Sequence, residues 1–152
     1  KTVLVERLVA ELTARGLTVS TVKHAHHAFD VDQPGKDSYR HREAGAHEVL
    51  VASAQRWALL HELRGAREPA LPALLAHLAP CDLVLVEGFK HEVERRLEVY
   101  RACCGQSPLA LEDAGIVAIA TDDATTFASR RDVRCLSLDD TPAILDYVLA
   151  RA

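Results

Sequence analysis

The stretch Leu83-Val84-Leu85-Val86-Glu87-Gly88-Phe89 constrains this chain more than any other, because four consecutive branched apolar residues run straight into a carboxylate and a glycine. An apolar run without polar alternation is the pattern of a parallel strand covered on both faces, so a central sheet strand is predicted here. Ligands of open parallel sheets bind just beyond the carboxyl ends of the strands, and Glu87 stands at that end. Parallel strands need crossover elements, and the sequence offers them. Leu4, Leu8 and Leu12 share one face of a helix predicted from Val3 to Arg15, with Val5 and Val9 beside them and Gly16 as the stop. A second helix opens at Asp140-Thr141-Pro142, and a third is predicted from Glu68-Pro69, carrying Leu71, Leu74, Leu75 and Leu78 before Pro80.

Further strands are predicted at Leu17 to Val22, which leads into Lys23, at Leu97 to Tyr100, and at Ile116 to Ala120, which leads into Thr121-Asp122-Asp123. Glu48 to Ala52 and Arg56 to His61 are joined by three residues, the length of a hairpin. Its second arm carries Trp57, Leu59 and Leu60, a heavy apolar load for a peripheral element, which core packing or a subunit interface would absorb. Asp37 is the expected cap of a short helix that ends at Gly45.

At 152 residues and 49% hydrophobic, the chain is long enough for one well-packed domain. A net charge of -4 argues against a broad nucleic-acid face, since neutralising a phosphate backbone takes clustered Lys and Arg. Four cysteines without a C-x-x-C pair suit a reducing cytoplasm. The expectation is a soluble internal protein with no membrane span, because no apolar run approaches the roughly 18 residues that a bilayer requires and no leader pattern is visible.

Between Lys23 and Ser38 the chain gathers imidazoles, carboxylates and lysines: His24, His26, His27, Asp30, Asp32, Lys36 and Asp37. Long polar loops in compact domains commonly carry function. The histidines lack the cysteine partners or the H-E-x-x-H spacing of a zinc site, so zinc is not assigned. Asp30 and Asp32 are candidate magnesium ligands, directly or through water, because magnesium takes oxygen donors. Lys1 and Thr2 read as the last two positions of a phosphate loop, G-x-x-x-x-G-K-[ST], whose glycines are absent from these 152 residues. Lys23, Glu87 and Asp122 all stand at carboxyl ends of predicted strands. With Lys1 and Thr2 they make a nucleotide site, and the fold expected is an α/β, three-layer, P-loop NTPase-like, mostly parallel sheet with helices on both faces plus an additional β-hairpin.

The same residues resemble a known family, the molybdopterin-guanine dinucleotide biosynthesis adapter proteins, MobB. The likeness is carried by Lys1-Thr2 through Leu8, by Lys23-His24-Ala25-His26-His27 with Asp30, by Asp32-Gln33-Pro34-Gly35-Lys36-Asp37-Ser38, by Arg40-His41-Arg42 and Ala44-Gly45-Ala46, by Val86-Glu87-Gly88-Phe89-Lys90 and by Ala120-Thr121-Asp122-Asp123. The resemblance implies a homodimeric GTP-binding protein with weak GTPase activity that uses Mg2+. Its partner would be the MobA-type guanylyltransferase that joins GMP to molybdopterin, with molybdopterin a ligand either of this chain or of that enzyme alone. Carried over by position, Lys1 would bridge the β- and γ-phosphates, Thr2 would ligate magnesium, Glu87 would take a Walker-B-like place near the metal, and Asp122, or its neighbour Asp123, would read guanine. Lys23 joins the nucleotide-binding set. Two rivals remain open at this point: a small-molecule kinase on the same fold, with Arg40-His41-Arg42 holding a phosphate acceptor, and a nonenzymatic interaction module.

Overall fold

The computed structural model describes residues 1–25, 29–90 and 92–151. Among these the elements run α1 (Thr2–Ala14), β1 (Val19–Lys23), α2 (Asp37–Glu43), β2 (Glu48–Ala52), β3 (Trp57–His61), α3 (Leu71–Leu75), β4 (Leu83–Glu87), β5 (Arg96–Tyr100), β6 (Ile116–Thr121), β7 (Arg134–Ser137) and α4 (Thr141–Leu149). Three 3₁₀ turns intervene at Ala102–Cys104, Leu109–Leu111 and Ala124–Phe127. The chain divides into two compact units, Lys1–His24 with Leu75–Ala152, and Ala25–Leu74.

The first unit is α/β. β1 and β4 pair in parallel, from Val19 opposite Leu83 to Lys23 opposite Glu87. β5, β6 and β7 form a parallel group with β6 in the middle. One buried cluster joins Leu4, Leu8 and Leu12 of α1, Ala120 of β6, Leu136 of β7 and Ile144 and Leu145 of α4, and Val19, Leu83, Leu85, Leu97 and Val99 pack against it. The helical spacing of the three leucines therefore puts α1 and α4 on one face of the strands. The other face of β5, β6 and β7 is covered by a second cluster, Ala110, Ile116, Ile119, Phe127 and Val133, drawn partly from the 3₁₀ turns. Strand alternation explains the division, since Ile119 and Ala120 point to opposite faces. α1 is also clamped by its own Arg7, which donates to Thr141 Oγ1 at 2.7 Å and to the Leu138 carbonyl at 3.1 Å, just ahead of and within the first turn of α4.

The second unit holds α2 and an antiparallel hairpin in which Val49 pairs with Leu60, Leu50 with Leu59 and Ala52 with Trp57. Val49 is buried, while Leu50 is 62% and Trp57 66% exposed. Pleating sends Val49, Leu60, Val51 and Ala58 to one face and Leu50, Leu59, Ala52 and Trp57 to the other. That second face is an apolar surface in the isolated chain.

Four sequence expectations are corrected. The most deeply buried strand is β6, in which Ala118, Ile119 and Ala120 are inaccessible, whereas β4 is half-buried and its Val86 is 36% exposed. β6 has a strand on either side and cover on both faces; among the described residues β4 pairs with β1 alone. Helix α3 covers only Leu71–Leu75. A start at Glu68 would place Pro72 beyond the first turn, where its ring meets the carbonyl four residues back. Asp37 is the first residue of α2 rather than its cap, and Lys36, in extended conformation, holds the cap position without a side-chain hydrogen bond. β7 was not anticipated, because its four residues lack the β-branched run that marks a strand.

Candidate functional site

The candidate site of the first unit grows from strand ends. Parallel register sets Lys23 against Glu87, and their side chains form an ion pair at 3.8 Å. The Glu87 carbonyl accepts the His24 N–H at 2.8 Å, which carries the pairing one residue beyond β1. The chain then turns at Gly88, with φ +100°, where a Cβ would lie 2.6 Å from the Cβ of His24. Only glycine fits that approach. Phe89 follows with φ +51°, an unusual conformation for a side-chain-bearing residue. It is held by burial, at 5% exposure, and by the His24 ring at 4.8 Å. The Glu87 carboxylate is thus fixed at a corner that two neighbouring residues brace.

Lys1 is the N-cap of α1; its carbonyl accepts the N–H groups of Leu4 at 3.0 Å and Val5 at 3.1 Å. No side chain caps this turn. Its leading N–H groups and the positive end of the helix dipole are directed outward, the arrangement that suits an anion. Lys1 and Thr2 are both exposed there.

Asp122 and Asp123 follow β6 and have different occupations. Asp122 accepts the Ala102 N–H at 3.2 Å and lies 3.6 Å from the Arg101 guanidinium. Asp123 caps the next 3₁₀ turn, accepting from Thr125 N at 3.0 Å and from the Thr126 hydroxyl at 2.7 Å. The Thr125 hydroxyl and then that of Thr126 hold its carboxyl below the usual range. The buried Thr121 fixes the junction, its hydroxyl accepting the Asp123 N–H at 2.9 Å. Asp123 is therefore consumed locally, and Asp122 is the more available of the two. The Asp-x-Thr-Thr pattern at 123–126 is a capping signal that sequence reasoning passed over.

In the second unit Asp30 and Asp32 converge on Arg42. Its guanidinium donates to Asp30 Oδ2 at 2.8 Å, to Asp32 Oδ2 at 3.3 Å and to Glu62 Oε1 at 2.9 Å. The Asp32 N–H, followed by Arg42, lowers the Asp30 carboxyl below its ordinary value. The three carboxylates raise Arg42 in turn, Glu62 contributing most. Asp32 also accepts the Ser38 hydroxyl at 2.8 Å. Metal ligation by either aspartate requires Arg42 to give it up. His26 and His27 lie outside the described residues. Among the described residues no group of three or more His, Cys, Asp or Glu side chains is placed to hold a metal ion. Magnesium is commonly held by one or two protein oxygens together with phosphates and water. Thr2 and Glu87 are hard oxygen donors of that kind.

The first unit is thus a parallel α/β fold with a helix N-terminus and charged strand ends, an architecture in which ligands bind at the carboxyl edge of the sheet. The family model MobB, described as molybdopterin guanine dinucleotide synthesis protein B, matches residues 1–122, and the chain belongs to this family. It is 40% identical over 152 residues to the molybdopterin-guanine dinucleotide biosynthesis adapter protein of Escherichia coli K12, covering 98% of this chain and 85% of that protein. Identity to the adapter protein of the same name from Haemophilus influenzae is 37%, covering 97% and 80%. The solved structure of Bacillus subtilis MobB superposes with a TM-score of 0.71 at 25% identity, over 99% of this chain and 89% of that one.

Proposed function

We propose that this chain is a GTP-binding adapter with slow GTPase activity in the biosynthesis of molybdopterin guanine dinucleotide, assisting the guanylyltransferase step. The observation that carries the adapter reading is the likeness to two biosynthesis adapter proteins over nearly the whole chain, through both compact units, which we treat as one functional domain. The nucleotide reading draws its support from the Lys1-Thr2 pair at the start of α1 and from the braced Glu87 corner.

In this reading Lys1 and the leading N–H groups of α1 bind the phosphates, and Thr2 and Glu87 would hold Mg2+, which supplies charge neutralisation at the phosphates when bound. Lys23 orients Glu87 through their pair. Asp122 reads guanine, because a carboxylate accepts from N1–H and the exocyclic amine together, two donors that adenine does not present on that edge. Asp30 and Asp32 would take a cation of their own only in exchange for Arg42. The exposed apolar face of the hairpin supports a homodimer. The other partner is a MobA-type guanylyltransferase, with molybdopterin as a ligand of the assembly. No described helix is long and apolar enough to cross a membrane, and we place the protein in the cytoplasm.

Calorimetry on the full-length protein tests the reading. GTP with magnesium should bind and ATP should not, and Lys1→Ala should abolish the GTP heat. Equal affinity for GTP in Lys1→Ala would remove the phosphate assignment.

A further inference from the structure

Two exposed thiols stand side by side on the 3₁₀ turn that leaves β5, Cys103 and Cys104. Cys81 and Cys135 are only partly accessible, and the Cys81 S–H points to the Leu83 carbonyl at 3.5 Å. The entrance to the Ala102–Cys104 turn is fastened to the end of β6. Its Ala102 N–H donates to Asp122 Oδ1 at 3.2 Å, and the half-exposed Arg101 guanidinium lies 3.6 Å from Asp122 Oδ2. The turn closes on itself through Cys104 N–H to the Arg101 carbonyl at 3.1 Å. One long hydrogen bond and one loose, solvent-exposed ion pair are weak fastenings. Neither thiol has a part in the nucleotide reading.

We propose that Cys103 and Cys104 form a thiolation site for anionic low-molecular-weight disulfides, and that the adduct detaches the turn from Asp122. The consequence for nucleotide rests on the assignment of Asp122 to the base. A cysteine thiolate attacks one sulfur of the disulfide; a protein–reagent S–S bond forms and the reagent's own S–S bond breaks. The departing thiolate takes up the proton that the cysteine lost, so no separate oxidant is required. The neighbouring thiol is badly placed to expel the adduct. Adjacent residues of a helical turn point apart, and their Cα atoms are about 3.8 Å from each other, short of the roughly 4.4 Å at which ordinary disulfide geometry begins. The mixed disulfide therefore persists in place of an internal bridge. Its carboxylates are tethered two or three residues from Arg101, where they compete with Asp122 for the guanidinium.

The test treats the full-length protein with glutathione disulfide and reads three quantities. Peptide mass mapping should place one glutathione on Cys103 or Cys104, and none in that segment in a Cys103→Ser, Cys104→Ser double variant; absence of the adduct overturns the site. Amide exchange at Ala102 should accelerate in the adduct and return on dithiothreitol treatment. Unchanged protection overturns the detachment, whatever Asp122 does with nucleotide. GTP affinity should fall roughly tenfold, because Asp122 loses the Ala102 N–H and the Arg101 guanidinium that orient its carboxylate toward the base, in the treated protein and not in the treated double variant. Hydroxyethyl disulfide, which is neutral, should modify the same cysteines with a smaller loss, and an equal loss overturns competition for Arg101. Asp122→Asn without thiolation separates the two claims. If it leaves GTP affinity intact while Ala102 is still deprotected by the adduct, the base assignment fails and the thiolation site stands.

Discussion

The two units of this chain are held together by different physics. The α/β unit has a continuous apolar centre in which Leu12, Ile144 and Leu145 are fully inaccessible. Among the described residues from Ala25 to Leu74 the buried apolar ones are Val49 and Leu71, and Arg42 is ringed by Asp30, Asp32 and Glu62. Apolar burial is non-directional and does not titrate, whereas an ionic cage is directional, screened and titratable. A protein built this way has a scaffold that resists change and a loop-and-hairpin unit whose order depends on solution conditions.

The sharpest way to break the comparison is in the scaffold. Leu12→Ala should destabilise the protein by about 3 kcal/mol, within the range for emptying a well-packed leucine site, and lower the thermal midpoint by several degrees. A loss below about 1 kcal/mol would mean that α1 is not packed as described. Next comes the cage. Arg42→Met keeps the side chain's length but leaves three carboxylates facing one another, so limited proteolysis within 29–36 should become several-fold faster while the global thermal midpoint moves little. Equal cleavage of parent and variant would show that the loop is ordered by something else.

A third change concerns association rather than folding. Trp57→Glu with Leu59→Lys puts charge on the outward hairpin face and should convert dimers to monomers in light scattering without altering the far-ultraviolet spectrum. A parent protein that is already monomeric would end the interface proposal. The smallest effect is that of acid. Asp30 is held below its ordinary value, so the stability it contributes is complete above the usual aspartate range and is lost as pH falls through its lowered folded-state value. Asp123 and Asp132 carry the same sign in the first unit. Stability should be flat from neutrality to about pH 4 and decline below it. In hydrogen exchange, residues 29–36 should lose protection before β6 does.

What could be read from the sequence follows the same division. Helix α1, strands β1, β4, β5 and β6 and the β2–β3 hairpin are legible because periodicity reports burial, and burial organises that architecture. The central place expected for β4 failed because a pattern shows that a strand is apolar, not how many neighbours it has. Partners of charges are not periodic at all. Asp30 and Asp32 read as oxygen donors in search of a cation, and the cation that the structure supplies is Arg42, ten residues beyond Asp32 and across a turn. Lys23 and Glu87 were legible as strand ends, but their pairing needed the register of β1 on β4. Asp122 and Asp123 were indistinguishable until the turn after β6 was seen to claim one of them.

One feature of β6 reaches further than its size suggests. Ala118 and Ala120 are inaccessible, and Ala120 shares a cluster with the leucines of α1. A strand carrying side chains this small leaves the helix seated low, with no slack beneath it. Enlarging Ala120 to valine would lift α1 as a rigid rod, and the displacement would travel to the residue at its tip, Lys1. Genetic screens on this protein should therefore recover variants, remote from any charged group, that fold and purify like the parent and yet score as binding defects.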